Sequence, residues 1–143
     1  MIRVTTKGRY ALRAMVDVGL HQDQGSVLRQ SIADRQDISA NYVAQLFSQL
    51  SAAGLLTGIK GPGGGYALAK DPELILVGDI IRAIEGPVAL VHCVLEEDAE
   101  PCHRVETCVT HRFWMRLSSH MEEYLDSVTL KDLMDEAQAL HLA

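Results

Sequence analysis

ISANYVAQLFSQLSAAGLLTGIKGPGGGY, residues 38–66, reads as a helix, a short strand, a glycine-rich turn and a second strand. Ser39 can cap the helix, its hydroxyl accepting from the first free N–H groups. Tyr42, Val43, Leu46, Phe47 and Leu50 recur at spacings of one, three and four, which makes one apolar stripe. The opposite face carries Asn41, Ala44, Gln45, Ser48 and Gln49. It is polar, slender and uncharged, whereas a face that is merely solvated usually carries Lys and Glu. Short amides suit a helix lying in a DNA major groove, where Asn and Gln can make paired hydrogen bonds to adenine. Gly54 can end the helix in a left-handed conformation. Leu55 to Lys60 and Tyr66 to Lys70 can then pair as a hairpin around Gly61-Pro62-Gly63-Gly64-Gly65. Such a hairpin beside such a helix is the wing of a winged helix-turn-helix.

The segment before this stretch supplies the rest of that motif. Thr5 or Thr6 can cap a first helix whose buried stripe is expected at positions 12, 15, 16, 19 and 20. Lys7, Arg9 and Arg13 lie near its start, where free N–H groups and cationic side chains can hold a phosphate; ordinary solvated charge is the alternative. After Gly25, Val27 to Gln36 reads as a short helix with Leu28, Ile32 and Ala33 inward and Arg29 and Arg35 outward. Gln36-Asp37-Ile38 is the turn into the polar-faced helix, so two short helices and a tight turn complete the pattern. The glycine run is not a nucleotide loop: no Lys-Ser or Lys-Thr pair follows it, and Tyr66-Ala-Leu-Ala reads as strand.

Charge divides the chain in the same place. Residues 1–70 hold eight Lys and Arg against four Asp, whereas residues 71–143 hold five against fifteen Asp and Glu. A basic front half on an acidic back half fits a DNA-binding head despite the overall net charge of −6. The chain has no apolar run of membrane-spanning length and no secretion-type start, so a cytoplasmic location with no membrane partner is expected. Three cysteines are an odd number, which disfavours a disulfide framework.

Past the wing, Val77 to Glu85 reads as a short amphipathic helix stopped by Gly86-Pro87. Val88 to about Glu106 has no regular period, and a loop of that length in a small domain calls for a reason. It holds Cys93 and Cys102, with Cys108 and His111 just beyond. The last two are three residues apart, the spacing of two ligands on one helical turn, so a metal site is expected there. His92 and His103 are secondary candidates. Val109 to about Ser127 is a long helix with Phe113, Leu117, Met121, Tyr124, Leu125 and Val128 in one stripe. No helix of equal length accompanies it, so pairing with a second copy into a twofold dimer is its natural use, with packing against its own head as the alternative. Thr129 can cap a last helix to Leu140.

Several of these stretches together resemble the Rrf-two family of bacterial redox-responsive transcription factors, and within it the iron–sulfur cluster regulators. The resemblance covers nearly the whole chain. It is carried by Val4-Thr5-Thr6-Lys7-Gly8-Arg9-Tyr10-Ala11, by Ile38-Ser39 with Tyr42 and Gln45-Leu46-Phe47, and by Lys60-Gly61-Pro62-Gly63-Gly64-Gly65-Tyr66. It continues in Asp79-Ile80-Ile81-Arg82-Ala83-Ile84-Glu85-Gly86 and Cys108-Val109-Thr110-His111. It implies a mainly α fold: a winged helix-turn-helix head with a two-stranded wing over residues 1–87, a cluster-binding loop over 88–111, and a dimerisation helix with a C-terminal helix over 109–143.

It also implies a homodimer on double-stranded DNA with a palindromic operator. No acid–base pair, nucleophile constellation or substrate motif stands out in the sequence, so no enzyme activity and no small-molecule substrate are expected. Cys93, Cys102, Cys108 and His111 would hold an iron–sulfur cluster, a 2Fe-2S cluster in preference to 4Fe-4S. The DNA-contact set would be Lys7, Arg9, Arg29, Ser39, Asn41, Tyr42, Ala44, Gln45, Lys60, Gly63, Gly64 and Gly65. Eight residues separate Cys93 from Cys102, a longer gap than is usual in such regulators. Ala44 stands where they often carry glutamate; alanine cannot accept from cytosine N4 but can touch a thymine methyl, so an altered site preference is expected. A zinc-containing or cluster-free thiol regulator, and a protein-interaction module that binds no DNA, are the alternatives.

Overall fold

The computed structural model describes residues 3–62, 64–95 and 102–142. Within them lie α1 (Thr6–His21), α2 (Arg29–Gln36), α3 (Ala40–Ala52), β1 (Leu56–Ile59), β2 (Gly65–Leu68), α4 (Val77–Glu85), α5 (Val109–Ser127) and α6 (Leu130–Leu142). The fold is mainly helical with a two-stranded antiparallel wing and a helical C-terminal arm.

α1 is the spine, in contact with α2, α3, α4, α6 and β2. Its innermost residues are Ala11, Ala14, Met15 and Val18, all fully buried, while Leu12, Val16 and Leu20 flank them half-buried. The buried face is therefore rotated from the expected stripe. A helix surrounded on several sides uses its small residues at the closest approaches, and the larger ones fill the margins. Gly19 marks one such approach: a Cβ there would lie 2.5 Å from Met134 Sδ of α6.

The helix-turn-helix follows with two differences from expectation. α2 begins at Arg29 because Val27 is taken into the wing. The Val27 N–H donates to the Tyr66 carbonyl and its carbonyl accepts from the Tyr66 N–H, each at 2.8 Å. Leu28 is consequently half exposed rather than inward, while Ile32 and Ala33 are buried as expected. Arg35 is exposed as expected, and its guanidinium in addition pairs with the buried carboxylate of Asp17 in α1. Asp37 closes α2 in the left-handed region at φ 55°.

α3 starts where the Ser39 hydroxyl accepts the Tyr42 N–H at 3.1 Å. Val43, Leu46, Phe47 and Leu50 are buried, and Gly54 turns the chain at φ 78°. The Phe47 ring meets the Tyr66 ring edge-on at 4.7 Å, which fixes the wing against α3. In the wing Leu56 pairs with Leu68 and Ile59 with Gly65.

α4 and the C-terminal arm are joined by an antiparallel bridge. The Val77 N–H donates to the Val128 carbonyl at 2.9 Å and the Leu130 N–H to the Ile75 carbonyl at 2.8 Å. The Thr129 hydroxyl and the Asp132 carboxylate cap α6 reciprocally. α6 then returns to the head, and its Leu130 and Met134 complete the core around α1. α5 behaves differently: His111 and Ser118 are its buried residues.

Candidate nucleic-acid interface and cysteine loop

On α3, Asn41, Gln45, Ser48 and Gln49 are exposed and Ala44 is half-buried. Ala44, Gln45, Ser48 and Gln49, with Lys7 of α1, Tyr42 and Leu46, line a shallow depression of about 490 Å³. The small Ala44 side chain leaves this depression open between neighbouring amides. Tyr42 is half-buried and packs edge-on against Tyr10, with ring centroids 6.0 Å apart, which ties α3 to α1.

A second depression of about 590 Å³ lies between the start of α2, the start of α3 and the wing. Arg29, Lys60, Gly64 and Gly65 line it. The Arg29 guanidinium stands 3.4 Å from the Tyr66 hydroxyl. Gly64 donates its N–H to the Gly61 carbonyl at 2.9 Å, and a Cβ on it would lie 2.3 Å from the Ile59 carbonyl oxygen. The tight wing tip thus requires glycine at 64. Gly63 lies outside the described residues.

The basic residues of α1 divide. Lys7 and Arg9 are exposed at its first turn. Arg13 is engaged instead with Gln36, donating to its backbone carbonyl at 2.8 Å and to its amide oxygen at 3.2 Å. The first turn itself is held by a residue that sequence reasoning did not single out. One carboxylate oxygen of Glu85, at the end of α4, accepts from the Thr5 N–H at 3.1 Å, from the Gly8 N–H at 3.2 Å and from the Thr5 hydroxyl. No short-range sequence signal marks a cap that comes from 77 residues away.

In the cysteine region, Cys93 is half-buried in a short 3-10 turn, Cys102 is exposed, and Cys108 is half-buried at the N-cap of α5. Residues 96–101 of the loop lie outside the described residues. Among the described residues no three His, Cys, Asp or Glu side chains stand close enough together to hold a metal ion, so the four expected ligands are not gathered into one set. Two of them nevertheless suit a metal chemically. The His111 imidazole is 8% exposed and its Nδ1 is buried with no hydrogen-bond partner among the described residues. A buried unpartnered ring nitrogen is unfavourable unless something binds it. The Cys108 thiol is held below its ordinary pKa, chiefly by its hydrogen bond with Thr110 and then by the backbone N–H groups of His111 and Thr110 and the charge of Arg104. That favours the thiolate, the form that ligates metals. The residues present therefore fit a thiolate- and imidazole-bound group.

On α5 Phe113 and Tyr124 are exposed and Leu117, Met121 and Leu125 half-buried, as is Val128 just past its end. Met121 and Leu125 face a groove of about 770 Å³ that continues over Leu12 and Ile81 to Leu90.

Comparison with known proteins decides the family. The model of the Rrf2 family, described as iron-dependent transcriptional regulators, matches residues 4–136. The chain belongs to the Rrf2 family. It is 41% identical to the HTH-type transcriptional regulator IscR of Yersinia enterocolitica over 99% of this chain and 85% of that protein. It is 40% identical, with the same coverage, to IscR of Pectobacterium atrosepticum. Among solved structures, IscR of T. potens superposes with a TM-score of 0.79 at 39% identity, covering 99% of this chain and 93% of that one. CymR, the global cysteine regulator of B. subtilis, gives 0.76 at 39% identity, covering 95% and 98%. These Rrf2 relatives are regulators rather than enzymes, and the winged head is that of a DNA-binding transcriptional regulator. No helix among the described residues is long and apolar enough to cross a membrane.

Proposed function

We propose that this Rrf2 protein is an iron–sulfur-cluster-dependent regulator that binds a palindromic operator as a homodimer. The observation that carries the cluster reading is the buried, unpartnered Nδ1 of His111, one helical turn from the thiolate-favouring Cys108. His111 would be a ligand from α5, Cys108 one from its N-cap, and Cys93 and Cys102 ligands from the loop. The bound group, 2Fe-2S in preference to 4Fe-4S, would supply a link between loop and α5 that depends on iron and redox state.

The protein residues have separable tasks in this reading. Asn41, Ala44 and Gln45 meet base edges, with Ser39 and Tyr42 at the head of the same helix. Lys7, Arg9, Arg29 and Lys60, with the wing glycines Gly63, Gly64 and Gly65, meet the phosphate backbone. Phe113, Leu117, Met121, Tyr124, Leu125 and Val128 pair with a second copy. The exposed Phe113 and the exposed Tyr124, which lines a long apolar groove with Met121 and Leu125, support that pairing, because apolar surface of this extent is seldom left in water. Linking Cys93 and Cys102 to Cys108 and to His111 of α5 would set the spacing of the two heads, and with it the affinity for paired half-sites.

The reading is tested by selecting DNA from a random pool with anaerobically purified protein, before and after iron is removed with a chelator. A twofold-symmetric site whose affinity changes on iron removal is expected. Affinity that ignores iron but falls reversibly on thiol oxidation would replace the cluster with direct cysteine chemistry.

A further inference from the structure

We propose that Glu85 is a positioning residue for DNA binding: it fixes the first turn of α1, and with it Lys7 and Arg9, at the angle at which they meet the phosphate backbone. This inference rests on the DNA-binding reading above.

Thr5 occupies the N-cap of α1, yet its hydroxyl accepts nothing from the helix. It is engaged with Glu85, and the same carboxylate oxygen takes the Thr5 and Gly8 N–H groups. A remote carboxylate has replaced the local cap, and a negative charge at the positive end of a helix is favourable. Gly8 is what permits the approach, since a Cβ there would lie 2.6 Å from the Glu85 oxygen. Lys7 lies between the two anchored residues and Arg9 follows directly. Fixing residues 5 and 8 therefore fixes the backbone from which both cations project.

The far contact of α4 gives the arrangement a second role. Arg82, one turn before Glu85, donates to Asp126 of α5 at 2.6 Å. Gly78 also lies against Asp126: a Cβ there would be 1.9 Å from its Oδ1. α4 is thus pinned to the C-terminal arm by Arg82 and to the DNA-facing turn by Glu85. Gly86 leaves α4 at φ 84° into residues 88–95, the segment that reaches Cys93.

Charge and position predict opposite signs, which makes the inference testable. Glu85 is a carboxylate beside phosphate-binding cations, so by charge alone its removal strengthens DNA binding. By position its removal weakens binding. Wild type, Glu85→Ala, Glu85→Gln and Thr5→Ala are compared on the site that the wild type selects, over a range of salt concentrations. Glu85→Ala should bind about tenfold more weakly, the scale of a lost charge-assisted hydrogen bond. Its slope of log affinity against log salt should fall by about 0.9 for each phosphate that is no longer neutralised. Glu85→Gln, which keeps an acceptor, should fall between wild type and Glu85→Ala. Thr5→Ala, at an exposed site that does not threaten folding, should lose affinity in the same direction. Variants that bind as tightly as wild type or tighter, with an unchanged slope, would overturn the proposal. If Glu85→Ala does not fold, unchanged affinity and slope in Thr5→Ala overturn it equally. A wild type that selects no DNA removes the function reading and this inference together; a selective wild type with an indifferent Glu85→Ala removes the inference alone.

Discussion

The Asp17 carboxylate of α1 lies 2.7 Å from the Arg35 guanidinium of α2, fully buried on the acid side and part-exposed on the arginine side. The Gln36 amide donates to the same carboxylate at 2.9 Å. This cluster holds the first helix of the helix-turn-helix against the spine, and its partners are unequally dependent on it. Arg35→Ala leaves a buried charge short of its partner and should cost about 3 kcal/mol. Asp17→Ala frees an arginine that can turn to water and should cost less, about 1–2 kcal/mol. Urea unfolding of the two variants checks the order. Equal costs would mean that the carboxylate is better solvated than its burial indicates.

Gln45 projects from the exposed face of α3 and is the residue best placed to read a base. Gln45→Ala should weaken specific binding by about 1–3 kcal/mol while leaving binding to random DNA nearly unchanged. Competition titrations separate the two. An equal loss on both kinds of DNA would assign Gln45 to the backbone instead.

Ala44 sits in the same depression without an acceptor. Ala44→Glu should change which sequence is selected from a random pool, gaining a preference for cytosine through its N4 donor. An unchanged selected sequence would place residue 44 outside the groove.

Gly64 cannot accept a side chain without moving the Ile59 or Gly61 carbonyls. Gly64→Ala should reshape the wing tip and lower DNA affinity several-fold, with a change in stability near or below about 1 kcal/mol because the site is peripheral. Affinity measured beside a thermal melt tests this. Full affinity would show that the wing tip does not touch DNA.

Phe113 is half exposed on α5, so Phe113→Lys should spare the head and disturb the pairing of two copies. Sedimentation should find a folded monomer or a weakened dimer. A dimer as tight as the wild type would move the interface elsewhere.

The sequence was informative where structure depends on near neighbours. The Ser39 cap, the Gly54 stop, the apolar stripe of α3 and the glycine wing all rest on contacts within a few residues, and each could be read in order along the chain. It was less so where a partner is remote. Arg35 is outward, as read, but nothing near it in sequence shows that its guanidinium reaches Asp17, 18 residues earlier. Val27 looks like the start of a helix until Tyr66 claims both of its backbone groups. The rotated face of α1 follows from how many helices surround it, which periodicity does not encode. Glu85 gives no local sign of capping α1. The apolar stripe of α5 is readable as helical periodicity; within the chain its Leu117, Met121 and Leu125 are half-buried and its Phe113 and Tyr124 exposed. Cys108 and His111 read as a pair on one helical turn, but Cys108 stands in extended backbone at the N-cap and only His111 lies on α5; Cys93 and Cys102 fall in a stretch with no periodic signal.

On the function proposed above, the three cysteines and His111 hold an iron–sulfur cluster. The most direct test is the iron, acid-labile sulfide and zinc content per chain of protein purified without oxygen. About two irons and two sulfides per chain are predicted, with the loss of both in Cys93→Ala and a folded dimer remaining. Zinc without sulfide, no metal after reconstitution, or a Cys93→Ala protein with full iron and sulfide would contradict the account.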